Sequence, residues 1–196
     1  MDRWSEHVKS FGLGTFLGND LPTGRKGLIP DANYYDRFLG YSTWKGATSV
    51  SNGIGQGELV ATPIQLANMT AAIANRGYYY TPHIIKESDH DPIDSAFITP
   101  RHTTIAPKHF EVVIDGMYAV FEHGTAKGSR IPHITQCGKT GTAQNPHGQD
   151  HSIFVSFAPK DQPKIALAVI IENGYWGSRW AAPIASLMTE MYLTDT

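Results

Sequence analysis

The run ITQCGKTGTAQNPHGQDHSIFVSFAPKDQPKIALAVIIE, residues 134–172, decides how this chain folds. Three stretches in it, 134–144, 151–158 and 164–172, read as successive strands, because β-branched and aromatic residues are punctuated by Gly, Pro, Asn and Asp. Pro159-Lys160-Asp161-Gln162-Pro163 has the length and composition of a hairpin turn. The third stretch, Ile165-Ala166-Leu167-Ala168-Val169-Ile170-Ile171, shows no polar alternation. A strand of that kind is covered on both faces. The expected architecture is therefore an α/β (α+β) sandwich, with helices on both faces of an antiparallel sheet.

Outward from that core, Pro183 to Tyr192 reads as a final helix whose Ile184, Leu187, Met188 and Met191 would cover one face. Upstream, Pro107 opens a helix in which Phe110, Ile114, Met117 and Phe121 keep the helical period and Gly124 stops it. Thr62-Pro63-Ile64-Gln65 is a stronger start still: a threonine cap, proline at the first helical position, and a glutamine placed to close a capping box. That helix is expected to run to Arg76, with Ile64, Ala67, Ala71 and Ala74 on one side and Gly77 after it. Residues 78–85 are β-prone, with Pro82 pushing part of them to an edge, and 87–100 read as an acidic surface excursion. A short first helix, residues 2–12, would be capped by Asp2 and carry Trp4, Val8 and Phe11 on one face. Between them, residues 13–57 are rich in Gly, Pro, Asn and Tyr without a sustained period and read as a long ordered loop.

Composition narrows the function. The 196 residues are 41% hydrophobic and 17% charged, enough to bury a core. Sixteen Lys and Arg against eighteen Asp and Glu leave a formal net charge of −2, which argues against nucleic acid as a partner. The single cysteine, Cys137, excludes an internal disulfide framework and a Cys-rich zinc module. Spaced two residues from Lys139, it shares that residue's strand face and reads as a small buried apolar group. The apolar run 165–171 falls far short of the roughly 18–20 residues that cross a bilayer, so the chain taken alone reads as soluble.

The chemistry sits in Lys139-Thr140-Gly141-Thr142, on the first of the three strands. Lysine brings fixed positive charge and the Thr140 hydroxyl can hold a carboxylate. Gly141 removes the side chain that would block close approach, and a strand edge turns backbone amides toward a ligand. An element of this form stands beside S-x-x-K and S-D-N in serine β-lactamases and penicillin-binding proteins. Other blocks agree in order and spacing: Ser51-Asn52-Gly53-Ile54-Gly55-Gln56-Gly57, Thr62 to Ala67, Ile73-Ala74-Asn75-Arg76-Gly77, Asp115-Gly116-Met117 and Gly124-Thr125-Ala126. Gly138 to Gln144, Phe157-Ala158-Pro159 and Glu172-Asn173-Gly174 complete the set. From Trp4 to the last helix the chain resembles class B penicillin-binding proteins, of the penicillin-binding protein 2 type that serves elongation and rod shape.

That resemblance implies a β-lactamase/transpeptidase-like fold, present here in part, and a serine D,D-transpeptidase that cross-links peptidoglycan. Lys139 and Thr140 would bind the carboxylate end of a stem peptide or β-lactam. Gly141 would permit the approach, Thr142 would lend its amide to the oxyanion hole, and Gly55, Gln56 and Gly57 would form a structural loop near the cleft. No cofactor or metal is implied. The expected partners are stem peptides, β-lactams and the cell-elongation machinery, and the parent is expected to be anchored in the inner membrane with this domain in the periplasm. Ser42-Thr43-Trp44-Lys45 is the sole S-x-x-K string, and it lies in an aperiodic stretch between Gly40 and Gly46 rather than on a helix holding lysine against serine. The second family element, Ser-x-Asn, occurs nowhere in the chain. Residues 1–196 are thus expected to be the C-terminal portion of a transpeptidase domain, inactive alone, with the nucleophile upstream. The third strand would then lack its usual neighbour and offer an edge for self-association.

Two other readings compete. His147-Gly148-Gln149-Asp150-His151 faintly resembles the H-x-x-E-H arrangement of some zinc peptidases, but Pro146 and Gly148 favour a loop over the helix that would bring both imidazoles together. A non-catalytic interaction module would use residues 13–57 or the acidic stretch 87–94 to bind a partner.

Overall fold

The sheet that residues 134–172 announce is present in the computed structural model, which describes residues 1–41, 43–86 and 92–194. In chain order the elements are α1 (Asp2–Lys9), α2 (Ala32–Leu39), α3 (Gly46–Gly53), α4 (Pro63–Ala74), β1 (Tyr78–Tyr79), α5 (Ser95–Ile98) and β2 (Arg101–His102). They continue with α6 (Phe110–Glu122), β3 (Cys137–Ala143), β4 (His151–Ala158), β5 (Ile165–Ile171) and α7 (Ala181–Thr194). Strands β3, β4 and β5 pair antiparallel in that order. The proline-flanked turn closes the β4–β5 hairpin, with the Lys164 amide donating to the Ala158 carbonyl at 2.8 Å. Among the described residues β1 and β2 form only a two-residue pair of their own.

Alternation along β4 divides the core in two. Phe154 points to one face, where it packs with Val169, Phe121, Ala126 and the Ala181, Ala182 and Ala185 side of α7. Phe157 points to the other, where it meets Cys137, Ala74 of α4, and Phe110, Ile114 and Met117 of α6. Helix α6 feeds both clusters, and its four periodic apolar residues are the four it buries. The two-faced cover expected for β5 is therefore met by α4 and α7.

Capping chemistry places α4 as its sequence requires. Thr62 Oγ1 accepts from the Gln65 amide, and Gln65 Oε1 accepts from the Thr62 amide at 2.9 Å. Gln65 then turns its Nε2 to the carbonyls of Thr15 and Lys26 at 2.8 and 3.0 Å, so one buried side chain ties the helix start to the irregular segment before it. Gln65, Asn68, Ala72 and Ala74 are buried, whereas of the expected apolar side Ile64 is exposed, Ala67 and Ala71 are half-buried and only Ala74 is buried.

Four further expectations are corrected. Residues 13–57 are not all loop: Asp31 accepts from the Tyr34 amide at 2.9 Å and starts α2, and α3 follows. Both helices are eight residues long and bury one residue each, Tyr35 and Asn52, too few to print a period on the sequence. Asp2 does not cap α1. It lies inside the first turn and its Oδ1 accepts from the Ala32 amide at 2.8 Å. On α7 the small residues Ala181, Ala182, Ala185, Ser186 and Thr189 face the sheet, whereas Leu187 and Met191 are 64% and 67% exposed. The helix sits close because Phe154 and Val169 supply the bulk from the sheet side. The β-prone stretch 78–85 yields only the two residues of β1. Part of the acidic stretch, 87–91, lies outside the described residues, as does Ser42.

Candidate active site

Strand β3 lies at the end of the sheet, so its outer edge has no strand partner among the described residues. Its inner edge is fixed by register: Lys139 stands opposite Val155, Thr140 opposite Phe154, Gly141 opposite Ile153 and Thr142 opposite Ser152. The strand changes character along its length. Cys137 and Gly138 are buried, whereas Lys139 and Thr142 are exposed. Gly138 is needed there because a Cβ would stand 2.6 Å from Phe154 Cζ and 2.9 Å from the Val155 carbonyl oxygen. The strand is thus anchored in the core at its start and open to solvent where its sequence carries charge and hydroxyls.

Lys139 Nζ donates to the carbonyl of Thr140 at 2.8 Å, and the Thr140 hydroxyl lies 2.9 Å from the hydroxyl of Thr125. The ammonium therefore keeps two of its three donors for a ligand. Cys137, on the same strand face, is fully buried, and burial pushes its thiol up to about 12, so it is protonated and inert. Beyond Thr142 the strand runs into a cleft of about 610 Å³, with Gly55, Gln56 and Gly57 on one side and Ala143, Asn145 and Asp150 on the other. That volume suits a drug-sized ligand.

Two supports that sequence reading missed hold these walls. Gly55 and Gly57 have φ of +79° and +77°, a region glycine enters without strain. The loop they form is tethered by Asn52, whose Nδ2 donates to the Tyr35 hydroxyl at 2.7 Å, while that hydroxyl donates to Glu58 at 2.5 Å. Burial pushes the Tyr35 phenol up to about 12, and the Glu58 carboxylate adds to the same shift. Behind β3, the loop between β5 and α7 presses Gly177 against the strand, so that a Cβ there would stand 2.7 Å from the Gly141 carbonyl oxygen. Ser152 Oγ fastens this loop by donating to the Trp176 carbonyl at 2.9 Å and accepting from the Ala181 amide at 3.2 Å. These contacts join residues 17 or more apart in sequence, and no local pattern announces them.

The histidine pair assembles no metal site. His147 lies in the exposed β3–β4 turn, and His151 begins β4 with its Nδ1 accepting from the Asn173 amide at 3.1 Å. Among the described residues no three His, Cys, Asp or Glu side chains are grouped to hold an ion. Lys45, the end of the S-x-x-K string, is the residue before α3, so that string does not lie on one helix.

Residues 1–190 match the penicillin binding protein transpeptidase domain. The chain belongs to that family. Among curated proteins, this transpeptidase-domain chain is 33% identical to the peptidoglycan D,D-transpeptidase MrdA of Acinetobacter baumannii and 30% identical to MrdA of Escherichia coli. The alignments cover 98% and 100% of the chain but 31% and 34% of those proteins, so it spans about a third of their length. Among solved structures it resembles Pseudomonas aeruginosa PBP2 in complex with WCK 5153, with a TM-score of 0.87 at 36% identity over 98% of this chain and 44% of that one. It also resembles Helicobacter pylori PBP2, solved in complex with MreC, with a TM-score of 0.82 at 28% identity over 98% and 36%. The transpeptidase-like sandwich and the penicillin-binding protein 2 likeness expected from the sequence are thereby established. No helix among the described residues is long and apolar enough to cross a membrane.

Proposed function

We propose that this chain is the substrate-binding portion of a serine D,D-transpeptidase that cross-links peptidoglycan stem peptides and is acylated by β-lactams. The observation that carries the reading is the outer edge of β3, without a strand partner among the described residues, with Lys139, Thr140 and Thr142 at its open end beside the cleft. In this reading a serine outside these 196 residues attacks the D-Ala–D-Ala carbonyl. The C–N bond breaks, terminal D-Ala leaves as the protonated amine, and a neighbouring stem-peptide amine then takes the acyl group and restores the serine. Lys139 and Thr140 hold the terminal carboxylate, and Gly141 lets the peptide backbone come close. The Thr142 amide donates to the oxyanion as charge gathers there, a contribution of roughly 3–4 kcal/mol for a well-placed donor. The likeness to PBP2 proteins, one of them solved with MreC, supports a place in cell elongation, with the parent held at the inner membrane and this domain in the periplasm.

The isolated 196-residue chain tests this. It is expected to take no covalent label from a fluorescent penicillin that labels the full-length protein. A stoichiometric mass increase abolished by Ser42→Ala would put the nucleophile inside the chain and overturn the reading. The outer edge of β5 also lacks a strand partner among the described residues, and we place an upstream strand of the parent there. Without it the isolated chain is expected to self-associate, and sedimentation as a monomer at all concentrations would contradict that.

A further inference from the structure

Thr125 stands in the turn after α6, a place its own backbone dictates. Ala126 is buried in the core cluster that contains Phe121 and Phe154, and its amide donates to the Val120 carbonyl at 3.1 Å. Gly124 lies so close to α6 that a Cβ would stand 2.7 Å from Val120 Cα. Between a buried alanine and a glycine that admits no side chain, Thr125 has little freedom. Its hydroxyl meets that of Thr140 at 2.9 Å, fifteen residues away on β3.

Each hydroxyl has one hydrogen to give and can accept two, so the empty site permits either direction of donation. An anion removes the choice. An ionised carboxylate only accepts, so Thr140 must give its hydrogen to it. The Thr140 oxygen is then left to accept from Thr125. Lys139, one residue back, presents donors alone. We propose that Thr125 is a positioning residue that donates to Thr140 Oγ1 and so aims the Thr140 hydrogen at the ligand's terminal carboxylate. This rests on the transpeptidase reading above and adds a residue that acts through Thr140 without touching the substrate. Hydrogen bonds in series polarise one another, and the last one here is charge-assisted, so the relay strengthens the contact where it matters for recognition.

The test uses the full-length protein, a carboxylate-bearing penicillin and the same penicillin with its carboxylate esterified. In Thr125→Val, which keeps the shape and removes the hydroxyl, the concentration of the acid giving half-maximal acylation is expected to rise about tenfold, the size of one net hydrogen bond. The limiting acylation rate should stay within about twofold, since the serine and oxyanion hole are untouched. Thr125→Ser should restore the parent's behaviour, and the ester, already lacking the anion, should be acylated alike by parent and Thr125→Val. Unchanged acylation of the acid by Thr125→Val, or an equal loss on acid and ester, would overturn the inference and leave Thr125 a structural tie. A parent that accepts neither penicillin would overturn the transpeptidase reading itself, and the inference with it.

Discussion

Replacing Lys139 by alanine in the full-length protein is expected to slow acylation by penicillin about a hundredfold, the upper part of the range for a hydrogen bond to a charged group. The side chain is exposed, and its one internal partner among the described residues is the carbonyl of Thr140, which solvent can satisfy once the ammonium is gone. Folding should therefore be nearly untouched, as for surface substitutions in general, where changes stay within about 0.5 kcal/mol. The loss falls on the ligand, whose carboxylate would face Thr140 without the neighbouring cation. Lys139→Arg keeps the charge but spreads it over a planar fork that does not fit the same spot, so partial recovery is expected. Rates from a labelled penicillin, with unfolding midpoints measured alongside, check both statements. A loss under about threefold would mean that the carboxylate binds elsewhere.

Phe154→Ala is expected to cost about 3–5 kcal/mol, the usual price of removing a buried aromatic ring. Phe154 is fully buried, and its ring meets Phe121 edge-on at 5.6 Å between centroids. It also fills the space that Gly138 leaves open, directly behind the turn of β3 from core to solvent. Truncation leaves a cavity bounded by α6, α7 and the sheet, and neighbours pinned by backbone pairing on both sides of β4 cannot collapse into it. Denaturant unfolding measures the loss. Because Phe154 stands opposite Thr140, the variant that folds should also bind β-lactam less well. A cost below about 1 kcal/mol would show that this cluster does not hold the sheet together.

What could be read from the sequence was what is encoded locally. Thr62 and Gln65 sit three residues apart and close a box within one turn, and Phe110, Ile114, Met117 and Phe121 repeat on one helix face. The hairpin and the Lys139–Thr142 edge belong to the same class, since a turn and two adjacent strands carry them. Where partners come from afar, no local pattern marks them. Helices α2 and α3 each bury a single residue, and what secures them is the contact among Tyr35, Asn52 and Glu58. On α7 only Ile184 of the expected apolar residues packs on the core, while Leu187, Met188 and Met191 are exposed, because close approach to Phe154 selects alanine and serine. Ala143, Asn145 and Asp150 line the cleft opposite Gly55–Gly57, a pairing that only the folded chain creates. Thr125 was visible as part of a family block, yet its hydroxyl gains meaning only when α6 delivers it to β3.

The structure of the full-length protein after reaction with a β-lactam asks most directly whether β3 is the ligand-binding edge. The drug's carboxylate is expected within hydrogen-bond reach of Thr140 Oγ1 and near Lys139 Nζ, with the acyl oxygen on the Thr142 amide. A drug bound covalently with its carboxylate turned away from β3, and its acyl oxygen on other donors, would contradict it.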